Sequence, residues 1–124
     1  MVAITQQSLS ALLFTCLGAA ALAAEAVVGT PPTWADINPI VTRHCVMCHS
    51  AQGAGKGLRL DSYALALAGS TDGPVLLPGD PEGSELIRRL KGISSPRMPF
   101  LSYPLADDEI ALFVRWVEAG MPER

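Results

Sequence analysis

Cys45-Val46-Met47-Cys48-His49 constrains this chain more than any other stretch of it. Two thiols three residues apart, followed at once by an imidazole, form the attachment sequence of a c-type haem. One turn of helix brings both sulfurs to one side, where each can form a thioether with a porphyrin vinyl group. His49 is then carried beneath the iron as its proximal ligand. Two other chemistries share part of the pattern. A Cys-x-x-Cys pair can be a redox dithiol, but that role favours a strand-to-helix turn within a βαβ pattern, and the sequence shows none. It can also be half of a zinc site, yet zinc takes four ligands and only Cys16 and His44 remain as candidates.

Residues 1–24 carry no acidic or basic side chain, and Leu9 to Ala24 is almost unbroken apolar sequence ending in small residues. That pattern predicts a secretory signal peptide over 1–24, cut just before Glu25, although no Lys or Arg precedes the apolar run. The run falls short of the ~20 apolar residues that a spanning helix needs, so a membrane anchor is the weaker reading. Residues 25–33, with Gly29-Thr30-Pro31-Pro32, read as an extended leader, and 34–124 as one domain. Haem is attached to c-type chains outside the cytoplasmic membrane, so motif and signal both point to the periplasm. With Cys45 and Cys48 committed to haem, no pair is left for a disulfide.

A domain of this size buries a low fraction of its surface, and a flat apolar cofactor at its centre offsets that shortfall. The unloaded chain is therefore expected to fold poorly. A net charge of −3 without a basic run gives nucleic-acid binding no support.

The fold class read from the pattern is mainly α. Asn38 and Pro39 predict a helix leading into the haem motif, with Thr33 as a second cap for a short turn at Trp34–Ile37. Ser50–Gly57 is a loop. Asp61 is expected to cap a short helix from Ser62 to Ala68, closed by Gly69. Asp80-Pro81-Glu82 predicts a third helix running to about Leu90. The last helix spans about Asp107 to Ala119, since Ile110, Phe113, Val114 and Val117 fall on one face and Gly120 stops it.

The iron needs a ligand opposite His49 if it is six-coordinate, and a thioether sulfur is one common choice. Met98 lies far beyond His49, in a loop stiffened by Pro96 and Pro99. Met47 sits inside the attachment turn, Met121 follows the last helix, and His44 lies on the proximal segment. The bland alternative is that Met98 merely fills a gap in the loop, leaving the iron five-coordinate or open to an outside ligand. Arg88, Arg89, Lys91 and Arg97 form a basic cluster that either docks an acidic partner or is a solvated face. Arg59 and Arg97 are the candidate partners of the haem propionates.

With these residues in view, the sequence resembles class I cytochromes c, and most nearly the planctomycete-type cytochrome c domain. The resemblance runs from Trp34 to Pro122. Besides the haem motif it rests on Ile37-Asn38-Pro39-Ile40, Gly57-Leu58-Arg59-Leu60-Asp61-Ser62, Gly73-Pro74 with Pro78-Gly79-Asp80-Pro81, Arg97-Met98-Pro99, and Glu109-Ile110 through Trp116 to Gly120. It implies a small cytochrome c-like helical fold wrapped around one covalent haem c, with first and last helices crossing, His49 proximal and Met98 distal. Ala106 departs from it, standing where a Ser, Thr or Asp cap would usually open the last helix. Such domains are often fused to larger enzymes, and a chain standing alone favours a free carrier over an oxidoreductase subunit.

The function expected is therefore single-electron transfer between a donor and an acceptor redox protein, one of which can be membrane-bound. Catalysis is not expected, because two protein ligands leave the iron no open position. A haem-based gas sensor in which Met98 yields, or a haem subunit of a larger complex, is the alternative reading, with a thioredoxin-like enzyme a distant third.

Overall fold

The structure is a computed structural model and describes residues 29–124. The signal peptide expected over 1–24 and the first part of the expected leader lie outside the described residues. Helix α1 covers Trp34–His44, α2 Tyr63–Ala68, α3 Glu85–Leu90 and α4 Asp107–Glu118, with a 3₁₀ turn at Gly55–Gly57. Among the described residues there is no strand, only one isolated bridge between Ser70 and Gly73. The mainly helical reading holds, and a βαβ dithiol fold has no place in it.

α1 packs on α4, and α4 in turn packs on α3. The shared core is Ile37, Ile40 and Val41 from α1, Ile87 and Leu90 from α3, and Ile110, Phe113, Trp116 and Val117 from α4. Trp116 is completely buried, and its ring lies 5.7 Å from that of Trp34, which in turn meets Tyr63 edge-on at 6.0 Å. The C-terminal segment takes up three donors of these residues. Pro122 O accepts both the Trp34 backbone N–H and the Trp116 indole N–H, each at 3.0 Å, and the Tyr63 hydroxyl donates to Met121 O at 2.9 Å. Three helices are thus pinned together at the end of the chain.

Local starts differ from the sequence expectation in three places. α1 begins at Trp34 and carries Pro39 inside it. The Asp36 carboxylate accepts the Thr33 N–H at 2.8 Å and the Thr33 hydroxyl at 3.2 Å, which opens the helix a full turn before Asn38. Pro39 removes one helical N–H, but both Pro39 and Ala35, whose carbonyl loses that donor, are exposed to water. Burial of Ile37 and Trp34 offsets the loss. α2 is capped by Ser62, whose hydroxyl accepts the Leu65 N–H at 3.3 Å, because Asp61 is held by Arg59 instead. α3 starts only at Glu85. Asp80 uses its carboxylate on the Gly83 N–H at 2.8 Å, making a turn rather than a helix cap. Ser84, fully buried, accepts from Leu77 N–H and donates to Asp80 O, which fixes that turn in place.

α4 follows the periodicity closely. Ala106 is its first flanking residue and brings no capping side chain, so the Glu109 carboxylate reaches back to the Ala106 N–H at 3.3 Å. Gly120, at φ +84°, ends it.

Gly69 closes α2 at φ +79°, ψ −156°, a region essentially restricted to glycine. A methyl group there would stand 2.5 Å from Gly73 O and 2.8 Å from Pro74 Cα, which are backbone atoms. Gly69→Ala is therefore expected to destabilise the loaded protein by about 2–3 kcal/mol. Denaturant unfolding followed by circular dichroism checks this, and an unchanged midpoint would mean that the turn is not rigid.

Candidate haem site

The attachment motif lies directly beyond α1 and is wound into a tight turn. Cys45 N–H bonds Val41 O at 2.8 Å, and Cys45 O accepts from both Cys48 N–H at 3.1 Å and His49 N–H at 2.9 Å. Cys45 is half-buried and lines the main cavity, whereas Cys48 is exposed and is not among the lining residues. Burial pushes the Cys45 thiol up to about 11, with the neighbouring Cys48 adding to it. Among the described residues, no three His, Cys, Asp or Glu side chains converge as a metal-binding group.

His49 is held at both ends by the segment after the 3₁₀ turn. Its Nδ1 lies 3.0 Å from Leu58 O, and its own carbonyl accepts the Leu60 N–H at 2.8 Å. A carbonyl can only accept, so Nδ1 carries the proton and Nε2 keeps its lone pair for a metal. His44 goes elsewhere, with Nε2 3.9 Å from Glu109 Oε1 on the α4 side, next to the 2.9 Å Arg43–Glu109 ion pair.

The cavity has a volume of about 660 Å³, within the range of cofactor pockets. Val41, Leu60, Leu90 and Phe113 supply its apolar floor, joined by Leu58, Val75 and Leu86. Cys45, His49 and Met98 line it together, although Met98 comes from a distant part of the chain. The donor set fits a c-type haem. There is an imidazole with a free Nε2, a thiol beside it, a thioether on the same cavity, and apolar walls between them.

The Met98 loop is fastened to α3 rather than to the haem motif. Met98 N–H bonds Arg89 O at 3.1 Å, the Arg89 Nη1 donates to Pro96 O at 3.2 Å, and its Nε donates to Glu85 Oε1 at 2.6 Å. The other carboxylate oxygen of Glu85 accepts from the Ser94 hydroxyl at 3.0 Å.

The charged residues around the cavity are held in several local pairs. Arg59 grips Asp61 with two bonds, at 3.0 and 2.6 Å, and holds that carboxyl below its usual range. Arg59 is not among the cavity residues, and neither is the exposed Arg97, which folds against Gly92. The cationic residues that do line the cavity are Lys56 and Arg89. Lys56 pairs with Asp72 at 3.1 Å, and its carbonyl takes the Thr71 N–H, so two cavity loops are joined there. A signal for Arg89 was present in the sequence: Leu86, Arg89 and Leu90 stand at i, i+3, i+4 and share one helix face. The basic cluster is also largely neutralised from within, Arg88 and Arg89 by Glu85 and Lys91 by Glu82.

Residues 45–99 match the family model of planctomycete cytochrome C. That stretch runs from the first thiol to the proline after Met98, and over it the chain is similar to the type of cytochrome c domain that the sequence resembles. α1 and α4 flank the matched residues. No curated protein and no solved structure matches the chain.

The hydrogen bond from Arg89, then that from Ser94, holds the Glu85 carboxyl below its usual 4.5 despite some opposing burial. A lowered carboxyl stabilises the fold above its unfolded value, and the benefit disappears as pH falls through the folded value. Glu85→Gln is therefore expected to be less stable than the parent at neutral pH, with the two converging as pH falls through the lowered value of the folded carboxyl. Denaturant midpoints measured against pH check this, and parallel curves would show that Glu85 contributes nothing.

Proposed function

We propose that this chain is an exported monohaem c-type cytochrome that passes single electrons between a donor and an acceptor redox protein. Cys45 and Cys48 would carry the haem, and His49 and Met98 would ligate its iron. The observation that supports this most is the meeting of His49, Cys45 and Met98 on one apolar cavity, with His49 Nε2 left free by the Nδ1 bond to Leu58 O. When bound, the haem supplies a one-electron couple between ferric and ferrous iron.

The chain's part is to hold, orient and enclose. The Leu58–Leu60 segment fixes the orientation and tautomer of the imidazole through the carbonyl acceptor. Val41, Leu60, Leu90 and Phe113 keep water out and lower the local dielectric, which favours the less charged ferrous state. Thioether ligation by Met98 pushes the potential upward in the same direction. Lys56, a cationic group on the cavity, is the propionate partner we add to the candidates Arg59 and Arg97. With both axial positions filled by side chains there is no open place for a substrate, hence a carrier and not an enzyme.

Residues 1–24 support export to the periplasm as a signal peptide, and no helix among the described residues is long and apolar enough to cross a membrane.

Absorption spectra test the ligand set. The ferric protein should show the weak near-red band of methionine-bound iron, and ferrous protein should be slow to take up carbon monoxide. Met98→Ala should abolish the band, lower the potential and speed carbon monoxide uptake. A parent protein already lacking the band and binding the gas at once would overturn the carrier reading in favour of a gas-binding one. Replacement of both cysteines should leave a chain of low helicity by far-UV circular dichroism, since its core is built around the cofactor.

A further inference from the structure

We infer that Arg89 is a positioning residue that sets how firmly the Met98 thioether is held, acting as a clamp between α3 and the loop. The inference rests on the proposed ligation by Met98 and goes beyond it. Three contacts carry it, all from one residue. The Arg89 carbonyl accepts the Met98 N–H at 3.1 Å, its Nη1 donates to Pro96 O at 3.2 Å, and its Nε is locked on Glu85 Oε1 at 2.6 Å. The guanidinium therefore spans from a helix to the second residue before Met98, while the same residue's backbone holds Met98 itself.

The rest of the loop has its own ties to the same helix. Arg88 O accepts the N–H groups of Ile93 and Ser94, at 2.8 and 3.3 Å, and Ser94 donates to the free oxygen of Glu85. Glu85 is thereby the fixed post against which Arg89 is braced. A guanidinium is suited to this because its planar fork can face two acceptors at once, whereas an ammonium on a flexible stem is a point charge. Beyond Met98 the chain has little to hold it. Phe100, Leu101 and Tyr103 are 59%, 91% and 91% exposed, so the restraint on the loop comes from its α3 side.

A thioether is a weak iron ligand, and its occupancy depends on how much freedom the loop gains when it lets go. Loss of the Arg89 fork should leave the haem attached and His49 bound while raising the fraction of protein in which the distal position is open. That predicts a change in competition for the iron, separate from a change in global stability.

The experiment is titration of the ferric holoprotein with imidazole, read from the loss of the near-red band, for the parent, Arg89→Ala, Arg89→Lys and Glu85→Gln, with denaturant unfolding alongside. Arg89→Ala should bind imidazole about tenfold more tightly than the parent, as expected when a charge-assisted bond is lost. Glu85→Gln should shift in the same direction by about threefold, and it serves as the reporter if Arg89→Ala fails to load haem. Arg89→Lys, which keeps the charge and loses the fork, should resemble Arg89→Ala. Parent-like affinity in Arg89→Ala, or full rescue by lysine, overturns the clamp, the latter because charge alone would then suffice. If Met98→Ala tightens imidazole binding but neither Arg89→Ala nor Glu85→Gln does, the clamp fails and the ligand set stands. A parent without the near-red band overturns both.

Discussion

The orientation of one imidazole governs what this fold can do. His49 follows two cysteines in a turn with no regular structure of its own, and its ring is steered by a single acceptor, Leu58 O at 3.0 Å. That bond decides the tautomer, and the tautomer decides which nitrogen faces the cavity. Leu58 is in turn positioned by the 3₁₀ turn before it and by the Leu60–His49 backbone bond after it. A short irregular segment, tied twice to the residue it orients, thus does for the proximal side what a helix does elsewhere in the molecule.

The distal side is built on another plan. Its loop is irregular as well, but it hangs on α3, a helix of under two turns that could not persist alone. α3 is kept in place by Ile87 and Leu90, buried against α4, and by Ser84, whose hydroxyl closes the turn leading into it. Stability therefore flows from the Trp116 cluster through α4 to α3, and from α3 to the loop. Damage to the Glu85–Arg89 pair should be felt at the distal side before it is felt in the core, because the core contacts of Ile87 and Leu90 do not involve that pair.

How much of this the sequence disclosed depends on range. The haem motif is legible because its chemistry is contained in five adjacent residues. α4 is legible because Ile110, Phe113 and Val117 repeat at the helical period and Gly120 stops them. The starts of α1, α2 and α3 were misread for one reason: a good capping residue was already in use elsewhere. Asp61 is taken by Arg59, Asp80 by a turn, and the Asn38-Pro39 signal is overruled by Thr33, Asp36 and the burial of Trp34 and Ile37. The arginines show similar local sharing. Arg59 grips an aspartate two residues away, a contact so local that it is legible in the sequence. Arg89 was placed with its charged neighbours, although its spacing from Leu86 and Leu90 puts it on the cavity side of α3.

The two sides of the cavity also differ in how they can fail. On the proximal side, covalent thioethers would keep the haem beside His49 even if the Leu58 bond were strained, so ligation there is an intramolecular event at high effective concentration. On the proposed ligation the Met98 sulfur would have no such tether. Its local concentration is fixed only by the loop, and the loop is fixed by bonds between a half-exposed carboxylate and an arginine. Exposed ion pairs contribute little to global stability, but on the proposed ligation this one would sit where a small change in loop freedom becomes a change in ligand occupancy. A contact of modest weight in folding would then, by its place in the chain, bear more heavily on whether the iron is closed or open.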